Sequence, residues 1–253
     1  MFTCSGNQLP TATGVAPDIY QTASNACDHF FDTFDCLVAT SETERLACFR
    51  TRHNVYCEEF GFEPERHSKL ETDEFDQYSV HCLIRHKCTK EVAGTVRLIV
   101  PEYASQPLPV ERLFKGIIAN RACVPSEVSR LAIQKAYRRK GGQLFSSQAS
   151  VSDYISLVLF IMAAHTFNLL SRTEVYVVME LSLARRIQSV GFKLEQIAKP
   201  IDHRGLRAPY KMCVKQVLHD LSCVLQPFYS ALQSHISETS VSMAIPPQEE
   251  QVA

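Results

Sequence analysis

Apolar and polar positions along this chain change period several times, and each change marks an element. Residues 34–39 form a short β-prone run. Thr40-Ser41-Glu42-Thr43-Glu44 then offers a helix start, with a hydroxyl cap and a Glu close behind it. That helix is expected to run to about Glu59 and stop at Phe60-Gly61, where Gly supplies a left-handed cap. Residues 61–78 are polar and strongly acidic and read as a loop. Residues 80–85 and 95–100 look like two strands joined by the polar stretch 86–91 into an antiparallel hairpin. Pro101, Pro107 and Pro109 break the chain again. Residues 127–134 alternate enough for another strand, and 137–143 form a basic, Gly-containing turn. A long helix over 150–170, a strand over 174–179 and a helix over 181–190 ending at Gly191-Phe192 follow. A strand over 193–199 comes next, and residues 211–236 read as a closing helix interrupted at Pro227.

This order predicts an α/β (α+β) sandwich. Residues 1–25, rich in Ser, Thr, Gly, Pro and Asn, read as a flexible leader, and 236–253 as a disordered tail. One domain is expected between them, over 26–235. Its most apolar stretch, 154–170, is only about as long as the shortest membrane span, and His165, Thr166 and Asn168 interrupt it. A buried core helix is the reading taken, with no integral membrane segment.

Composition narrows the classes further. A chain of 253 residues with 45% hydrophobic content suits one large domain with a buried core. A net charge of −1 gives no general pull toward nucleic acid. The ten cysteines include no C-x-x-C pair and no zinc-finger spacing. They read as free buried thiols, with metal or disulfide roles as the alternatives, and no metal site is assigned. The N-terminal stretch lacks a basic region followed by an apolar one, so no signal peptide is expected and the chain reads as cytoplasmic.

Three constellations could carry chemistry. Glu71, Asp73, Glu74 and Asp76 crowd into six residues. They are either a solvated acidic loop or acceptors for a substrate ammonium or for arginines. Crowded carboxylates also raise one another's pKa, which suits a general base. Arg52, Arg97 and Arg130 fall on predicted core elements, where an unpaired charge is costly. The acidic loop could supply their partners. Glu127 and Arg130, three apart, face opposite sides of a regular strand unless a bulge intervenes. Finally, the turn Arg138-Arg139-Lys140-Gly141-Gly142 precedes a helix, a setting in which backbone N–H groups bind phosphate. A basic surface turn is the simpler reading.

The order of these residues is more specific than any one of them. Arg52-x-x-Val55-Tyr56, Phe60-Gly61-Phe62, Glu71-x-Asp73-x-x-Asp76, Arg97-Leu98, Phe114 and Glu127-x-Ser129-Arg130 together resemble the autoinducer synthases that make acyl-homoserine lactones. Phe62 stands where those enzymes usually have Trp, and Tyr56 where they have Phe. A closer resemblance over residues ~30–225, including His203-Arg204-Gly205-Leu206-Arg207-Ala208-Pro209, is to the acyltransferases associated with the PEP-CTERM/exosortase system. That family is similar to autoinducer synthases and to N-acyl amino acid synthases.

The resemblance implies a GNAT-like acyl-CoA N-acyltransferase fold, with a central, mostly antiparallel sheet flanked by helices. It implies N-acylation of an amino acid or derivative by a fatty acyl thioester, carried by CoA or by an acyl carrier protein, with no tightly bound cofactor. An acyl-homoserine lactone synthase and a non-catalytic acyl-binding module are the alternatives. Glu71 is the first candidate base and Glu127 the second. Arg52, Phe62, Asp73, Asp76, Arg97, Phe114, Ser129 and Arg130 would bind substrate or form the supporting ion-pair network. Arg138, Arg139, Gly141 and Gly142 would meet the donor's phosphates, although Gln143 replaces the last small residue of the usual coenzyme A signature. The Tyr that often protonates the leaving thiolate is replaced by Ile187.

Overall fold

The structure, a computed structural model, describes residues 17–118, 123–138 and 149–246. Eight strands make one sheet: β1 Phe34–Val38, β2 Ser79–His86, β3 Val92–Ile99, β4 Ser126–Ile133, β5 Glu174–Glu180, β6 Glu195–Gln196, β7 Ile201–Asp202 and β8 Leu206–Cys213. Their spatial order is β1-β2-β3-β4-β5-β8-β6, with β7 also paired to β8. Every pairing is antiparallel except β4 with β5.

The helices are α1 Pro17–Thr33, α2 Glu42–His53, α3 Pro109–Leu113, α4 Ile155–Leu169, α5 Leu181–Ser189, α6 Val214–His219, α7 Gln226–His235 and α8 Glu238–Ala244. Ser41 caps α2 in a capping box with Glu44, as the sequence predicts. The helix continues into a wider π-helical turn, Asn54–Glu59, and ends at Gly61 with φ of 61°. α4 is apolar on all sides because it is buried on all sides: α6, α7 and α8 pack around it over the sheet. The segment Val151–Leu169 is long and apolar enough to cross a bilayer, yet 78% of its apolar window is buried inside the molecule.

Alternation along the central strands sorts the two faces. Val96, Leu98 and Val100 join the core beneath α4. Ile99 joins a smaller cluster with Phe75, Tyr78, Leu108 and Tyr176 on the other face, where Phe114 is half-buried. Arg97 lies between Thr95 and Ile99 on that second face, under α2 and the acidic loop.

Four expectations need correction. Residues 17–25, expected in the leader, are helical, and Ala23 is fully buried. Within the expected tail, 238–244 form α8 and bury Val241 and Ala244. The closing helix over 211–236 is instead the end of β8 followed by α6 and α7, and Pro227 opens α7 rather than breaking it. Pro209 hides β8 from a sequence reading, because Pro lacks a ladder donor. Its carbonyl accepts from Ile197 at 3.1 Å, so its nitrogen faces the same side, in the gap between the short β6 and β7. β5, on the other edge, pairs without interruption. The strand expected over 193–199 shrinks to β6 for the same reason: it only patches that edge.

Candidate active site

β4 and β5 are in register only over Ser126–Val128 and Val175–Val177. Beyond that point they part. The opening is a cleft of about 420 Å³. Val128, Leu131, Val177, Met179 and Phe160 give it apolar walls, Tyr56, Phe60 and Phe62 close one side, and Arg130, Arg138 and Arg207 stand on its rim.

A bulge in β4 shapes this cleft. Thr95 pairs with Ala132 and Arg97 with Ser129, so β4 carries one extra residue there. Arg130 takes up the excess with φ of 51°, a conformation that is unfavourable for a residue with a side chain. The bulge answers the question raised by the Glu127–Arg130 spacing. It swings Arg130 to the face already occupied by Arg97 and Ser129, toward the acidic loop.

On that face four arginines meet four carboxylates. Arg52 Nε donates to Glu71 Oε2 at 2.5 Å, and its two terminal nitrogens hold Asp76 bidentately at 2.6 and 3.0 Å. Arg97 donates to Ser129 Oγ at 2.9 Å, to Asp76 at 3.1 Å and to Asp73. Arg130 reaches Glu71 at 3.1 Å, Asp73 at 3.1 Å and Glu63 at 3.2 Å. Arg204 also binds Glu63, at 3.0 Å. Arg52 and Arg97 are fully buried and Glu71 nearly so. The network extends through charged hydrogen bonds that no member could make alone.

The acidic loop is held ready for this. Asp73 caps the short turn Glu74–Tyr78 reciprocally with Asp76, and Glu71 N–H donates to Phe49 of α2. Burial works against the charge on Asp76, but the bonds and charge of Arg52, then Arg97, outweigh it and hold its carboxyl well below the usual range. Burial, then the Arg52 charge, lowers His81 to about 3, so its ring stays neutral 3.6 Å from Asp76.

Glu127 differs. Burial raises its carboxyl to about 8 despite the bond it accepts from Val110 N–H at 2.8 Å. It anchors the start of α3 and does not line the cleft. Both oxygens of Glu71 are engaged by Arg52 and Arg130. Arg138 chelates Glu59 at 2.7 Å through each terminal nitrogen and lies over the Phe60 ring. Arg139, Gly141 and Gly142 lie outside the described residues. Phe62 stacks on Phe60 beside Arg204, at the mouth of the cleft. Ile187 is buried in the core.

Sequence reasoning placed Arg52, Arg97, Arg130, Glu71, Asp73, Asp76 and Ser129 as candidates, and the fold brings them into one cluster. It assigned no site role to Glu63, Tyr56 or Arg207. Tyr56 lies in the wide turn after α2 and donates to the carbonyl of Leu131 within the bulge at 2.7 Å. Burial raises its phenol pKa, so it remains a donor. Its place in the Arg52-x-x-Val55-Tyr56 motif was the available signal.

Residues 51–147 match the acetyltransferase (GNAT) domain family. No curated protein matches the chain by sequence. Among solved structures, TofI in a ternary complex with an inhibitor and MTA aligns at a TM-score of 0.56 and 19% identity, over 76% of this chain and 99% of that one. BjaI, a CoA-dependent acyl-homoserine lactone synthase solved with SAM and isopentyl-CoA, gives 0.55 and 18%, over 86% and 93%. FeeM, an N-acyl amino acid synthase from uncultured soil microbes, gives 0.55 and 13%, over 76% and 96%. The chain has the fold of these proteins, and the GNAT domain match on that fold supports an acyltransferase.

Proposed function

We propose that this protein is an N-acyltransferase that moves a fatty acyl group from an acyl thioester of CoA or acyl carrier protein to the amine of an amino acid or derivative. The parting of β4 and β5 is the observation that carries this reading. It leaves one edge of β4 without a strand partner beyond Val128 and sets an apolar cavity beside it. An extended thioester arm fits along such an edge, with its acyl chain among Val128, Val177, Met179 and Phe160. The amine attacks the thioester carbon directly. A C–N bond forms, the C–S bond breaks, the thiolate departs, and the ammonium proton passes to a base through water.

Glu71 and Glu127 remain the candidate bases. Glu71 touches the rim arginine, whereas Glu127 has a proton affinity near neutrality. The other network residues, Arg52, Asp73, Asp76, Arg97 and Ser129, hold Arg130 and the bulge in place. Phe114 backs the loop cluster and Phe62 guards the mouth. Arg138 would reach donor phosphates only by releasing Glu59.

Purified protein given long-chain acyl-CoA or acyl carrier protein and an amino-acid panel should yield N-acyl products by mass spectrometry, with release of free thiol. Absence of both with every donor would overturn catalysis, and acyl-CoA binding without turnover would favour the non-catalytic module. Full activity in Glu71→Gln would remove Glu71 as base. The similarity to BjaI favours one second reading, an acyl-homoserine lactone synthase. Release of methylthioadenosine from S-adenosylmethionine would mark it. The motif at 203–209 inclines the reading toward the exosortase-associated acyltransferases, and lipid extraction from overexpressing cells would identify the product.

A further inference from the structure

The cations around the cleft are unequally satisfied. Arg130 is held by three carboxylates, and Glu59 takes both terminal nitrogens of Arg138. Arg207 is held much less. Its Nη2 makes one contact, at 3.3 Å, to Glu180 Oε1, whose side chain is 51% exposed. Its Nε is buried without a hydrogen-bond partner among the described residues. A guanidinium has five donors in a fixed fork that matches a carboxylate. A buried donor left unpaired is costly, and an incoming acceptor would relieve that cost.

Register fixes where this fork stands. β4 and β5 part at Val128 and Val177, and Arg207 is opposite Glu180, three residues further along β5. Three residues beyond the parting on β4 is Leu131, in the bulge, bonded to Tyr56. Arg207 therefore stands on the wall across from the bulge, roughly 10 Å along the strands from where the cleft opens. Its charge also acts on Tyr56 and His203.

We propose that Arg207 is the acceptor-binding residue, and that it holds the α-carboxylate of a free amino acid so that the amine points toward the acyl carbon beside the Arg130–Leu131 bulge. This assigns the acceptor class as one that keeps a carboxylate next to its amine. It rests on the N-acyltransferase reading for its substrate, but its binding step can be tested without turnover.

The experiment compares amino acids with their α-carboxamides as probes, on wild type, Arg207→Gln and Arg207→Lys. Calorimetric titration reads binding, and steady-state kinetics read turnover. Wild type should bind and acylate the acid form on the order of 10- to 100-fold better than the amide. Arg207→Gln should erase that preference by raising KM for the amino acid while leaving KM for acyl-CoA unchanged. Arg207→Lys, which keeps the charge but loses the fork, should fall between, and thermal melts check that both variants fold. Equal use of acid and amide by wild type would overturn the inference and leave N-acyl transfer standing. A raised KM for acyl-CoA alone in Arg207→Gln would also overturn it, assigning Arg207 to the donor. Arg207-dependent binding of the acid without turnover would support the inference and remove the N-acyltransferase reading. No binding of either probe would overturn the inference.

Discussion

Two carboxyl groups near Arg97 show how neighbours decide a residue's role. Asp76 is ionised because Arg52 and Arg97 bond to it, whereas Glu127, more deeply buried, has one backbone donor and is driven to about 8. Between its ordinary 4.5 and about 8, the folded chain keeps a proton that the unfolded chain has released. Linkage then makes stability fall as pH rises through that window. Glu127→Gln keeps an acceptor for Val110 N–H and cannot ionise. Its urea midpoint should therefore gain on wild type between about pH 5 and about pH 8, by an amount of order a few kcal/mol in free energy. A constant difference between the two proteins across that range would refute the assignment. Arg130 makes a complementary point. Its left-handed backbone is unfavourable by itself, and three carboxylates hold it there.

Among the elements, α4 and β3 set the depth of the site. A side-chain carbon added at Gly94 would lie 3.2 Å from Ala132 O, Ile155 Cγ2 and Leu159 Cδ1. The helix rests directly on the strand, and this fixes how far Phe160, further along α4, enters the cleft. Gly94→Val should destabilise the fold by about 1–3 kcal/mol through overpacking. Denaturant unfolding would read the loss, and an unchanged midpoint would mean that the contact yields freely. Most elements were legible from periodicity and caps: the hairpin of β2 and β3, the Ser41 cap, the α4 run, and α5 with its Gly-Phe end. β8 was not, since Pro209 is admissible only because of which neighbours flank it, and no local pattern carries that information.

For the whole molecule, the first and last helices, α1 and α8, are part of the core. Phe30 packs edge-on to Phe228, joining α1 to α7, and α8 closes over the far side of α4. Deleting residues 238–253 removes the buried Val241 and Ala244 and uncovers apolar surface on α4. The deletion should cost on the order of 2 kcal/mol or more and lower the urea midpoint. A midpoint matching the full chain would restore the reading of this segment as a tail.

By itself, the sequence determined most of the elements from β1 to α5, the type of fold, and Arg52, Arg97, Arg130, Glu71, Asp73 and Asp76 as members of the charged cluster. Periodicity and caps act over a few residues, and buried arginines require carboxylates somewhere in the same chain. Tertiary structure alone decided which carboxylate meets which arginine, that the β4 bulge turns Arg130 to the face of Arg97, and that the parting of β4 from β5 opens a cleft. It also left Arg207 Nε, on that cleft, without a partner among the described residues. Each of these depends on register and on residues far apart in the chain, as with Arg207 opposite Glu180 and Tyr56 against Leu131.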